Sequence, residues 1–116
     1  MPIHSILNYC ALFLAGAFVC NCVPHLTSGL QGVPFPTPFA RPRGVGPSSP
    51  TLNFLWGGAN LLVGVLLLSY KPLVVGFNMG FLLFLAGVLS MGICLSRHFG
   101  KVRQTNTETE FRGRTR

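Results

Sequence analysis

Cys20, Cys22 and His25 stand close together in the chain, and Cys94 and His98 stand four residues apart further on. Thiolate and imidazole are the ligands that zinc and copper prefer, so these five residues form the candidate metal set. Cys94 and His98, at i and i+4, share one face if the segment is helical. The spacing Cys-x-Cys-x-x-His is not that of a zinc finger, however. The plainer reading is small apolar cysteines and interfacial histidines, and no cofactor is assigned.

A second constellation is cationic. Arg41 and Arg43 precede Gly44-Val45-Gly46-Pro47-Ser48-Ser49. If a helix starts after Ser49, its unpaired N–H groups and partial positive charge favour a phosphate. Two guanidinium groups can grip phosphate oxygens in a fork, and Ser48 and Ser49 add hydroxyl donors. Anionic phospholipid is the expected ligand; no Gly-x-x-x-x-Gly-Lys-Ser/Thr loop is present for a nucleotide. The alternative is that the arginines only set topology while Ser49 only caps the helix.

The acids are Glu108 and Glu110 alone, both near the C-terminal end. No catalytic residue is assigned, because no nucleophile–base pairing stands out and no carboxylate pair is placed for acid–base work. A proton-coupled pump or cation antiporter built from this chain alone is also disfavoured, since carboxylates usually carry the proton or bind the cation.

These residues need elements to position them, and the elements are apolar. Hydrophobic residues make up 49% of the 116 and charged residues 9%, against about 25% charged in a soluble domain. Crossing a hydrocarbon core of about 30 Å takes about 20 apolar residues in a helix. Three uncharged runs meet that length, at 3–22, 52–70 and 73–95. The first lacks the basic start of a signal peptide and is expected to remain as a helix. Lys71 and Pro72 separate the second and third, which are expected to form a tight antiparallel hairpin. The expected fold is all-α: a three-helix transmembrane bundle in a membrane domain 1–100, with an inner loop at 23–50 and a polar basic tail at 101–116.

The net charge of +7 is distributed unevenly. With three spans, Arg41, Arg43, Arg97, Lys101, Arg103, Arg112, Arg114 and Arg116 share one side, and Lys71 alone marks the other. This asymmetry predicts the N-terminus out and the C-terminus in. It fits membrane topology better than a nucleic-acid face, so no nucleic-acid partner is assigned. The tail is too polar to fold alone; its plainer reading is a solvated topology anchor, and attraction to anionic lipid is its sharper one.

Helices in lipid meet through small residues and polar side chains. The first span offers Asn8, Ala11, Ala15 and Cys22. The second offers Asn53, Gly57, Asn60 and Gly64, and the third Gly76, Gly80, Gly87, Ser90 and Cys94, in which Gly76-x-x-x-Gly80 is a small-xxx-small motif. Asn8 and Asn78 fall at equal depth near the outer boundary, which lets them hydrogen-bond, and their side chains are expected within contact reach of each other; the alternative is that each bonds its own backbone. One such stripe facing another subunit would make an oligomer.

The 23–50 loop is rich in proline and glycine, which predicts no regular helix over most of it. Phe35 and Phe39 give it apolar anchors, and Ser49-Pro50 is a helix start. The pattern Pro24-His25, Ser28-Gly29, Gly32, Phe35-Pro-Thr-Pro-Phe39-Ala40, Gly44-Val-Gly46, Ser48-Ser49-Pro50, Asn53, Trp56-Gly57 and Asn60 resembles a group of small uncharacterised bacterial integral membrane proteins. That resemblance implies a bacterial inner-membrane setting and supplies no activity. The leading functional expectation is a non-enzymatic accessory or interaction subunit, whose partners are the bilayer, anionic phospholipid, and another membrane protein or itself. The alternatives are an oligomeric small transporter or channel, and a membrane metal-binding protein.

Overall fold

The computed structural model describes residues 2–116. In chain order it contains α1 (Ile3–Leu30), β1 (Phe35–Pro36), β2 (Pro47–Ser48), α2 (Pro50–Tyr70) and α3 (Met79–Arg114). All three helices are long and apolar enough to cross a membrane. The molecule is a rod with extents of 63 × 24 × 23 Å.

Helix α1 is central. Both α2 and α3 pack on it, and they form no packed face with each other, so the bundle is a central helix with two flanks. Close approach through glycine sets both interfaces. On the α2 side Gly57 lies against Leu26 and Cys22, and Gly64 against Val19 and Ala15. Those pairings run antiparallel. The buried residues of α2 are Asn53, Gly57, Asn60 and Gly64, one helix face at steps of four, three and four. On the α3 side Gly16 meets the Phe84 carbonyl and Gly87 meets the Phe13 carbonyl, with Leu12 against Gly80 and Cys20 near Gly92. This pairing runs parallel. A Cβ on Gly16 or Gly87 would drive into backbone, so the α1–α3 distance depends on both glycines.

Three boundaries differ from the sequence expectation. First, α1 does not end at 22 but continues through Pro24 to Leu30, which shortens the loop to 31–49. Proline removes one helical hydrogen bond, yet α1 is held against α2 on both sides of it: Cys22 and Leu26 pack on Gly57, and Gly29 packs on Pro50 and Phe54. Packing therefore overrides local propensity.

Second, α3 begins at Met79, not 73. The connection 71–78 is not a two-residue turn. Val74 and Val75 are poor helix starters, Gly76 sits at φ 153°, and Asn78 caps α3 by accepting from the Phe81 N–H at 2.9 Å. Gly76 is thus outside the helix and exposed, and Gly76-x-x-x-Gly80 is not a helical packing motif.

Third, α3 does not end at 95 but runs on to Arg114, so the tail, too polar to fold alone, is helical. It continues an existing helix, which removes the nucleation cost that a separate segment would meet. Arg114 pairs with Glu110 at 2.7 Å in the favourable i,i+4 order. Arg112 and Arg114 complement the C-terminal end of the helix dipole. The pair is exposed, so it contributes a few tenths of a kcal/mol. At about 1.5 Å per residue, the 36 residues of α3 reach about 54 Å, well past a 30 Å core.

Candidate functional site

The ordered polar centre of the molecule lies where the loop meets the C-terminal part of α1, the start of α2 and the middle of α3. Pro50 opens α2, and Ser49 caps it by accepting from the Leu52 N–H at 3.1 Å. One turn later Asn53 is fully buried. Its Nδ2 donates to the carbonyls of Phe35 (2.8 Å), Ser49 (3.1 Å) and Ser48 (3.3 Å). Three carbonyls can only accept, so the amide orientation is determined. Its Oδ1 then accepts from His25 Nδ1–H at 2.9 Å. This bond fixes the hydrogen on Nδ1, leaving Nε2 of the neutral ring without one.

His25 is itself 2% exposed, enclosed by the rings of Phe35, Phe99 and Trp56 with centroids 5.5, 6.3 and 6.5 Å away. Phe35 and Phe99 are in mutual contact at 4.6 Å. One side chain from α1, one from the loop, one from α2 and one from α3 therefore share a single cluster. The Trp56 Nε1–H is buried without a partner among the described residues.

Thr37 orders the rest of the loop. Its hydroxyl shares a hydrogen bond of 2.6 Å with the Ser48 hydroxyl and accepts from the Phe39 N–H. Its carbonyl accepts from the N–H groups of Ala40 and Gly44. Residues Phe35 and Pro36 pair antiparallel with Ser48 and Pro47. Six prolines between 34 and 50 carry no N–H at all, which lowers the number of backbone donors needing a partner. Gly44 adopts φ +68°, and its carbonyl accepts from His98 Nε2–H at 2.7 Å. A Cβ there would be strained by φ and would press on the His98 ring at 3.2 Å.

The candidate metal ligands are not brought together. Among the described residues no three His, Cys, Asp or Glu side chains form a metal-binding group. The Cys22 thiol donates to the Val19 carbonyl, His25 is held by Asn53, and His98 is held by Gly44. Cys20 faces Gly92 across the α1–α3 contact, and Cys94 is exposed. Of the cationic constellation, Arg41 and Arg43 are exposed. Ser48 points inward to Thr37 and Ser49 is spent on its cap, so the serines do not extend that site.

Asn78 is also occupied locally. It caps α3, and its Nδ2 donates to the Val74 carbonyl at 2.9 Å. No Asn8–Asn78 hydrogen bond forms among the described residues; the later start of α3 makes Asn78 a cap. The interhelical amide bond lies elsewhere: Asn21 Nδ2 donates to Asn60 Oδ1 at 2.8 Å, while Asn60 Nδ2 donates to the Trp56 carbonyl. Asn21 is a polar residue in an apolar run, and nothing in its spacing marks it as the partner of Asn60. Phe99 carries no sequence signal of its own. His25, Phe35, Thr37, Ser48, Asn53 and Trp56 are linked by the hydrogen bonds and ring contacts given above.

No protein-family model, curated protein or solved structure matches this chain.

Proposed function

We propose that this chain is a small multi-pass protein of a bacterial inner membrane, with its N-terminus outside and its loop and C-terminus inside. It acts there as a non-enzymatic accessory or interaction subunit. One observation carries the reading: the polar side chains His25, Asn53, Thr37 and Ser48 are engaged in holding the loop, and what they hold is an open surface. Between the hairpin and the projecting part of α3 lies a groove of about 470 Å³ lined by Phe35, Pro47, Phe99, Val102, Arg103 and Asn106, among others. An apolar floor with a polar wall suits a segment of another protein. Phe99 stands about 30 Å along α3 from Met79, a distance comparable to a hydrocarbon core of about 30 Å, which supports a groove at or beyond the membrane boundary. The uneven spread of Lys and Arg supports the orientation, and the resemblance to small bacterial membrane proteins supports the setting.

The test is affinity purification of the tagged full chain in mild detergent. A different chain should co-purify in fixed ratio and be lost from Asn106→Trp, which fills the groove. A homo-oligomer alone would instead favour an oligomeric transporter or channel. That second reading draws on Ser90 and Cys94, which α3 leaves exposed.

A further inference from the structure

The hydrogen bond from His98 to Gly44 joins segments 54 residues apart. Arg43 adjoins one partner and Arg97 the other, and Lys101 follows Arg97 by about one turn of α3. Arg41, Arg43, Arg97 and Lys101 are all exposed. None has a carboxylate partner: among the described residues the ion pair is Arg114–Glu110. Glu108 and Glu110 begin about two turns beyond Lys101. Four positive charges are therefore gathered at one end of the bundle with no counter-charge, an arrangement that repels itself unless an anion is bound.

Depth and shape restrict the anion. Arg97 and Lys101 lie about 27 and 33 Å along α3 from Met79, bracketing the edge of a core about 30 Å thick. Phospholipid phosphates sit at that level. On the loop, Arg41 and Arg43 share a cleft of about 620 Å³ with Pro38, Phe39, Ala40 and Pro42. Phe39 is 61% exposed and meets Trp56 edge-on at 5.2 Å. The cleft thus sets an apolar wall beside two guanidinium groups, matching a ligand with a charged head and an apolar body.

The geometry points to a composite binding site for an anionic phospholipid, in which Arg41 and Arg43 of the loop act with Arg97 and Lys101 of α3. His98 acts as a positioning residue by fastening the loop to the helix. Bidentate contacts from the arginines hold the phosphate, and Phe39 lies along the glycerol and upper acyl chain. The inference rests on reading the three helices as membrane spans.

The experiment uses the full chain in nanodiscs of phosphatidylcholine with and without phosphatidylglycerol, extracted for native mass spectrometry. The wild type should retain phosphatidylglycerol in preference. At about 1 kcal/mol per basic residue, R41Q/R43Q and R97Q/K101Q should each weaken retention about thirtyfold. R112Q/R114Q, which removes equal charge from the far end of α3, should stay within about twofold of wild type. His98→Ala, at a pH where the imidazole is neutral, should weaken retention without changing charge. Circular dichroism reports the fold of each variant, and the α3 pair still reads the site if the loop pair misfolds. Unchanged retention in a folded double variant, or an equal loss in R112Q/R114Q, overturns the site. Displacement of the lipid by excess inorganic phosphate would assign the charges to free phosphate and overturn the lipid assignment. Failure of the membrane reading shows separately, as a chain that does not enter the nanodisc.

Discussion

His25 and Asn53 face each other across 2.9 Å, a bond that ties α1 to α2, and the same Asn53 side chain ties both strands of the loop hairpin to that point. Asn53 makes the contact possible because its two ends do opposite work. The amide nitrogen serves three loop carbonyls, and the oxygen serves the imidazole.

Replacing Asn53 should therefore be among the most damaging changes at a polar position. Asn53→Ala leaves the His25 donor and the loop carbonyls without partners in a buried setting, at about 1–3 kcal/mol per unsatisfied group. Asn53→Asp keeps the shape but turns an oxygen toward those carbonyls, and should be at least as damaging. Thermal unfolding in detergent checks the order. A variant as stable as wild type would remove Asn53 from its central position.

The glycines separate into two groups that should respond in opposite directions. A Cβ on Gly16 or Gly87 would meet backbone across the α1–α3 interface, so Gly87→Ala should destabilise by about 1–3 kcal/mol. Gly58 and Gly100 lie in helices with open space where a Cβ would go. Alanine there should stabilise by up to about 1 kcal/mol through helix propensity. The same melting series reads both groups.

The parallel α1–α3 register has its own check. A Cβ on Gly92 would lie 3.6 Å from Cys20 Sγ. Gly92→Cys should cross-link to Cys20 on mild oxidation, visible as a mobility shift that reducing agent reverses. The shift should vanish when Cys20→Ser is added. Absence of cross-linking with native Cys20 in place would contradict the register.

Asn21→Ala should weaken α1–α2 association by about 0.6 kcal/mol, typical of a side-chain hydrogen bond between membrane helices. Asn8→Ala should have no comparable effect on its interface, since no Asn8–Asn78 bond forms. The two variants can be compared by resistance to detergent denaturation.

Hydropathy made the three helices legible, because apolar runs of about 20 residues have few other readings. Helix ends were not legible in the same way. Proline at 24 marks a stop by local rules, but the glycines that hold α1 against α2 beyond it act only once both helices exist. Asn78 is a good N-cap type, yet in sequence it is equally a polar residue inside an apolar run. The tail shows the converse: its composition gives no independent fold, and it is helical by continuing α3. At the site, residue types were legible and partnerships were not. Arg43 and Arg97 share a region only through His98 and Gly44, and Ser48 is removed from the cationic site by Thr37. Those relationships depend on long-range closure of the loop, which no local spacing records.

The central claim is a three-span membrane protein whose loop and C-terminus face inward. It is tested most directly by labelling intact cells with a membrane-impermeant maleimide, after the four native cysteines are replaced by serine or alanine. Phe77 lies on the 71–78 connection and is 97% exposed, while Arg112 lies near the end of α3. A single cysteine from Phe77→Cys should label in intact cells, and one from Arg112→Cys only after permeabilisation. Labelling of Arg112→Cys in intact cells with Phe77→Cys protected would reverse the orientation. Equal labelling of both positions in intact cells would contradict an odd number of membrane crossings between the two ends of α3.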